Sequence, residues 1–295
     1  MQDKEKDFEK PEGLSLKSGL YCVATPIGNL RDITMRALDV LRSADMVLCE
    51  DTRMTRKLLG AYQISARLQV YNDHSGDGVR ERVLEMLAQG KVLALVSDAG
   101  MPLISDPGYK LVRACREKGF YVTSVPGASA TLSALQISGL PSNKFCFLGF
   151  LPSKSSARKK VLNEWAGVNA TLIAFETAPR LKASLMDIGE ALGEREVAVV
   201  REITKKFEEV KCGDPEELSQ FYEENGKPKG EIVLVIAPPG EDADGVIGDE
   251  ELADMLRGAL KSMKVKEAAK VVGEKTGRKK SDLYDMALNI SKEGK

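Results

Sequence analysis

The feature that most constrains this chain is the junction of an apolar run with a turn-rich loop. Lys91-Val92-Leu93-Ala94-Leu95-Val96 is apolar without alternation, and Ser97-Asp98-Ala99-Gly100-Met101-Pro102-Leu103-Ile104-Ser105-Asp106-Pro107-Gly108 follows at once. A short unalternating run fits a strand covered on both faces of a parallel sheet. The loop then brings a carboxylate, a glycine that lets backbone approach a ligand, a proline and a second Asp-Pro-Gly turn. An amphipathic helix is expected from about Tyr109 to Lys118, stopping at Gly119. Ligands of open α/β sheets bind at the carboxyl ends of strands, so this loop is the first candidate for a site. The alternative for Asp98 and Asp106 is that they only close turns and cap amides.

The same rhythm of strand and helix recurs on both sides. Strands are expected at Gly19–Thr25, Asp45–Glu50, Leu68–Tyr71 and Tyr121–Val125. Helices are expected from an Asp32 N-cap to Ala44, on the basic segment carrying Arg53, Arg56 and Lys57, and from about Gly78 to Gln89. This alternation predicts a doubly wound domain over residues 19–128, after a polar tail at 1–18. A second α/β domain is expected over 129–236, with strands beginning near Phe145, at Thr171–Glu176, at Val197–Val200 and at Glu231–Ile236. Residues 237–248 turn rich in Pro, Gly and Asp and read as a linker. Beyond them, 249–295 is a small helical module, with helices over about Asp249–Lys261, Val265–Lys275 and Lys280–Ile290. Short helices around Thr276-Gly277-Arg278 fit a helix-turn-helix that touches phosphate, and equally a solvated helical appendage.

Composition narrows the function classes. The 43 basic and 44 acidic residues nearly cancel, so any acidic partner must be met by local patches. Five scattered cysteines form no paired metal spacing and read as buried thiols of a reducing compartment. A single histidine, His74, argues against His-rich metal sites and a Ser-His-Asp hydrolase, and no metal is expected. Residues 1–10 are charged without an apolar core, and no run approaches the roughly 18 residues needed to span a bilayer. The expectation is a cytoplasmic protein that does not meet the membrane. Neither G-x-G-x-x-G after the first strand nor G-x-x-x-x-G-K-[ST] is present, so neither a nicotinamide nor an ATP site is signalled. Four loops remain, Thr25–Asn29, Ser97–Pro102, Pro126–Ala130 and Glu176–Arg180, each following an expected strand and suited to a folded organic ligand.

Six motifs stand in order: Ala24-Thr25-Pro26-Ile27-Gly28-Asn29-Leu30, Glu50-Asp51-Thr52-Arg53, Ser97 to Gly108, Val125-Pro126-Gly127-Ala128-Ser129-Ala130, Phe175-Glu176-Thr177-Ala178-Pro179-Arg180 and Arg201-Glu202-Ile203-Thr204-Lys205-Lys206. Together they resemble the tetrapyrrole methylases, and within them the branch of 16S ribosomal RNA cytidine 2′-O-methyltransferases. The resemblance covers about Gly19 to Ile236, with the final helices resembling that branch's appended module. It implies two α/β domains of the tetrapyrrole-methylase type, with S-adenosylmethionine in the cleft between them, a homodimer, and 16S rRNA of the small subunit as partner.

Carried over by motif, the cofactor should meet Pro26, Asp98, Gly100, Met101, Pro102, Ser129, Ala130, Phe175, Gly230 and Glu231. A ribose hydroxyl is a poor nucleophile, so a carboxylate or amine should share its proton. Asp98, Glu176, Glu202 and Lys205 are the catalytic candidates, with Glu202 and Lys205 alternatively a structural ion pair. Arg31, Arg53, Arg56, Arg158, Lys159, Lys160, Arg180 and Lys206 are candidates for RNA contact, with Arg278, Lys279 and Lys280 as a peripheral clamp. Rival readings are a methylase of small tetrapyrroles and a non-catalytic RNA-binding protein; the basic Lys154–Lys160 stretch and the helical module favour RNA over the former.

Overall fold

The computed structural model describes residues 15–72, 77–226, 228–240, 249–261, 263–276 and 280–293. His74, Arg278, Lys279 and most of the expected linker lie outside them. The chain divides into two compact units, residues 1–162 with 170–238, and residues 163–169 with 239–295.

The first unit begins with β1 (Gly19–Val23), α1 (Met35–Ser43), β2 (Met46–Cys49), α2 (Thr52–Ala61), β3 (Leu68–Val70), α3 (Asp77–Ala88), β4 (Val92–Leu95), α4 (Tyr109–Glu117) and β5 (Val122–Val125). The five strands form one wholly parallel sheet in the order β3-β2-β4-β1-β5. The unalternating run at residues 92–96 is explained by the two cores flanking it. Val92, Ala94 and Val96 pack with Val40 and Leu41 of α1 and Leu59 of α2. Leu93 and Leu95 pack with Val83 and Leu87 of α3 and Leu111 of α4. Helices therefore cover both faces, the arrangement that buries every residue of a central strand.

The chain continues with α5 (Ala130–Ile137), β6 (Phe145–Phe150), α6 (Ser155–Glu164), β7 (Thr171–Thr177), α7 (Leu181–Leu192), β8 (Val197–Arg201), β9 (Glu209–Gly213), α8 (Pro215–Glu224) and β10 (Glu231–Ile236). Here the sheet is mixed, in the order β6-β7-β10-β8-β9, with only the β6–β7 pair parallel. Ala134 and Leu135 of α5 pack with Ile173, Ala198, Val200, Val233 and Val235, and Ile27 from the loop after β1 is buried in the same core. The two sheets thus share a floor.

Local chemistry corrects three expectations. Asp32 is no N-cap of α1; it ends a 3-10 turn, Leu30–Asp32, and the Thr34 hydroxyl accepts from the Ala37 N–H instead. The strand β9 and the helix α8 were not expected. The edge strand Glu-Val-Lys-Cys-Gly carries too little apolar pattern to declare itself. By contrast α8 has a legible start, with Asp214 accepting from the Glu216 and Glu217 N–H groups and Pro215 at its first position.

In the second unit α9 (Asp249–Leu260), α10 (Val265–Thr276) and α11 (Lys280–Glu293) bury Leu252, Leu256, Ala269, Val272, Leu283 and Ala287 in a core of their own. Among the described residues no helix is long and apolar enough to cross a membrane.

Candidate active site

The loops at the carboxyl ends of β1 and β4 meet first in backbone hydrogen bonds. Thr25 N–H donates to the Gly100 carbonyl at 2.9 Å, and Gly100 N–H returns the bond at 3.0 Å. This bridge closes a cleft of about 570 Å³ between the two sheets, within the roughly 300–1,000 Å³ usual for small-molecule sites. One wall is the segment after β4, with Asp98, Gly100, Met101, Ser105 and Asp106. Its backbone is contorted, with Leu103 at φ 72° and Ser105 at φ 68°, a kind of strain that clusters at ligand-binding sites. The opening residues of α5, Ser129 to Thr131, form the floor with Ile27. The second sheet supplies Phe150, the end of β7 from Phe175 to Pro179, and the start of β10 from Gly230 to Val233.

Eight of the ten expected cofactor residues, Asp98, Gly100, Met101, Ser129, Ala130, Phe175, Gly230 and Glu231, line this cleft. Pro26 and Pro102 do not line it and are buried. Thr131 and Phe150 line it without having been expected, and Asp106 lines it as part of the loop first singled out.

The polar groups of the cleft suit a polyfunctional guest. The Thr131 hydroxyl is buried in the lining without a hydrogen-bond partner, a state that costs free energy until a ligand satisfies it. Ser129 caps α5, its hydroxyl accepting from the Leu132 N–H at 3.4 Å, which leaves its proton to donate. Burial pushes the Asp106 carboxyl up, the Asp98 charge adds to that, and a Ser97 hydrogen bond opposes it. Gly230 stands at φ 95°, with the Glu202 carboxylate filling the space a side chain would take.

Behind Gly230 lies a charged buttress. Glu202, held at φ 52°, accepts from the Glu231 N–H at 3.1 Å. Lys205 Nζ donates to Glu202 Oε1 and Glu231 Oε2, both at 2.8 Å. The bond from Lys205 holds the Glu202 carboxyl below its usual range. Burial alone would depress the Lys205 ammonium, but the two carboxylates outweigh it and the net shift is upward. Lys205 is therefore held as a cation between two carboxylates, and it forms with Glu202 the ion pair given above as the alternative to a catalytic role. Gly28 packs so closely here that a Cβ on it would lie 2.5 Å from Lys205 Cγ.

The catalytic expectation for Glu176 is corrected. Although it is part of the cleft wall, its side chain is fully buried and committed to structure. It accepts from the Thr177 N–H and Arg180 Nε, both at 2.7 Å, and from the Ser184 hydroxyl. Arg180 in turn donates to the Leu151 carbonyl, so it faces inward rather than toward RNA. Arg158 is only 2% exposed and paired with Asp187 at 2.6 Å, which removes it from any RNA surface. Lys159 is tied to Glu190 at 2.8 Å. Arg31, Arg53, Arg56, Lys160 and Lys206 are exposed. Arg53 also pairs with Asp51 at 2.7 Å and feels the charge of Asp98, which places it near the cleft. Lys280 opens α11.

A parallel sheet and a mixed sheet closing a cleft of small and acidic residues at their strand ends define an α/β protein built to hold an organic cofactor. The chain belongs to the tetrapyrrole (corrin/porphyrin) methylase family, whose model matches residues 19–219. The RsmI C-terminal HTH domain matches residues 247–291. Over 275 residues the chain is 50% identical to the ribosomal RNA small subunit methyltransferase I of Erythrobacter litoralis, covering 93% of this chain and 96% of that one. The protein of the same name from Rickettsia prowazekii is 50% identical over 222 residues, 75% of this chain and 79% of the relative. Among solved structures, the uroporphyrin-III C-methyltransferase of Thermus thermophilus complexed with S-adenosyl homocysteine shares the fold, with a TM-score of 0.51 and 20% identity over 74% of this chain and 97% of the other.

Proposed function

We propose that this protein is an S-adenosylmethionine-dependent methyltransferase of small-subunit ribosomal RNA, acting on the 2′-hydroxyl of a cytidine in the decoding centre. The observation that carries the reading is the pairing of the methylase cleft with a helical C-terminal domain matched across the chain by rRNA methyltransferases. The residues present fit the cofactor. The orphan Thr131 hydroxyl and the Ser129 proton face its polar groups, Asp98 can accept from its ammonium or ribose hydroxyls, and Phe175 and Val233 supply apolar surface for its adenine. When bound, S-adenosylmethionine supplies the electrophilic methyl group.

The chain's own work is alignment and proton transfer. Asp106, whose raised carboxyl faces the cleft, takes the proton of the attacking hydroxyl; Asp98 beside it orients the donor and raises its neighbour's basicity. Lys205, kept cationic, fixes Glu202 and the Gly230–Glu231 edge. Exposed Arg31, Arg53 and Arg56 hold phosphates near the cleft, and Lys160 and Lys206 extend the contact. The active form is a homodimer working in the cytoplasm, where small subunits are assembled.

Transfer of labelled methyl to purified small subunits, naked 16S rRNA and a tetrapyrrole precursor, followed by nucleoside analysis, tests this. Label on a cytidine 2′-oxygen is the expected result. Label on the tetrapyrrole alone overturns the substrate, and no transfer anywhere overturns the activity.

A further inference from the structure

Phe150 is a large aromatic side chain left 57% exposed on the wall of the cleft. Three features show that the exposure is built in. First, β6 pairs regularly with β7 up to Phe147, after which the register shifts before Phe150 pairs with Phe175, and Gly149 in the interruption stands at φ 71°. A bulge of this kind turns a side chain out of its strand's ordinary alternation. Second, the ring is supported edge-on by Phe175, with centroids 5.3 Å apart, and Phe175 is supported by Phe147 at 4.9 Å. Third, the backbone next to it is pinned. Leu151 N–H donates to the Phe175 carbonyl at 3.3 Å, and the Leu151 carbonyl accepts from Arg180, which Glu176 holds.

A buried carboxylate, an arginine and a bulge thus converge on presenting one bare aromatic ring in a cleft. An exposed ring on a rigid mount is the chemistry that receives another flat π-system. We propose that Phe150 is the stacking platform for the unstacked nucleobase of the target nucleotide, holding its ribose at the methyl donor. This rests on the reading of the protein as an rRNA methyltransferase. RNA bases are read in this way when splayed from a strand onto aromatic side chains. Adenine of the cofactor offers the same flat chemistry, so the test must separate the two sources.

The variants are Phe150→Leu, which keeps apolar bulk without the ring, and Phe150→Trp, which keeps a ring. Their melting temperatures should stay near that of the parent, because most of the side chain is already in water. Two quantities are read: the dissociation constant for S-adenosyl homocysteine by calorimetry, and single-turnover methyl transfer to purified small subunits at saturating S-adenosylmethionine. For Phe150→Leu we expect transfer efficiency on subunits to fall on the order of 10–100-fold, with S-adenosyl homocysteine affinity unchanged and with Phe150→Trp restoring most of the loss. Weakened S-adenosyl homocysteine binding with normal transfer at saturating donor assigns the ring to the cofactor and overturns the proposal. Parental behaviour of Phe150→Leu in both measurements overturns it as well. If the parent protein methylates no ribosomal RNA, the functional reading itself fails and takes this platform with it.

Discussion

A Cβ placed on Gly230 would lie 2.1 Å from Oε1 of Glu202 and 2.3 Å from its Cδ. The glycine is therefore the space into which the Glu202 side chain folds to reach Lys205. Gly230→Ala must displace that carboxylate from its cation and also carry a side chain at φ 95°. We expect it to cost about 1–3 kcal/mol in urea unfolding and to weaken S-adenosyl homocysteine binding, read by calorimetry. An unchanged unfolding midpoint would show that the buttress yields freely.

Thr131 gives the opposite combination. Replacing it by valine removes a buried hydroxyl without a partner, so stability should hold or rise slightly. S-adenosyl homocysteine affinity should fall by about 5–10-fold, the worth of one hydrogen bond. Stability that falls together with unchanged affinity would refute a ligand-facing hydroxyl.

The carboxyl of Asp106 is raised by burial, with the Asp98 charge adding to the effect. A raised folded-state value means that the folded protein binds this proton more tightly than the unfolded chain. Stability from this group is thus lost as pH rises from the ordinary aspartate range through the folded value. Asp106→Asn should be at least as stable as the parent at neutral pH, yet slower by about 100-fold or more in single-turnover transfer. In the parent, the acid limb of the rate profile should lie above the usual carboxylate range, and Asp98→Asn should move it to lower pH.

The same reasoning applied to the buttress gives a window at neutral pH. Glu202, whose carboxyl is lowered, contributes stability above its unfolded value that is lost as pH falls through the folded one. Lys205, whose ammonium is raised, contributes stability that is lost as pH rises through its folded value. Lys205→Met should flatten the pH dependence of the melting temperature at both ends; an unaltered profile would contradict the assignment.

Arg158 and Asp187 are 3% and 7% exposed in their side chains and 2.6 Å apart. Asp187→Ala leaves a buried guanidinium without its main acceptor and should cost about 3–5 kcal/mol in urea unfolding. A loss below about 1 kcal/mol would mean that water reaches the site.

What the sequence disclosed follows from where the physics is local. The run at residues 91–96 announced a doubly covered strand because both of its faces meet helices, and its loop carried Asp98 and Gly100 to the cleft wall. The opening of α5 was legible in Ser129, since a cap needs only the next turn of helix. Thr131 and Phe150 escaped notice because their roles depend on burial or on a register shift, neither of which has a local signature; Asp106 was marked by its loop, but not its raised carboxyl, which comes from burial. Arg158 and Arg180 misled for the same reason. A basic residue on a helix reads as solvated until a carboxylate from another element is found against it, here Asp187 or Glu176.

Ile27 belongs by chain order to the parallel sheet and by packing to the core of the mixed one. A substitution that reshapes the floor of the cleft must satisfy both, whereas the rim near Phe150 answers chiefly to its own sheet.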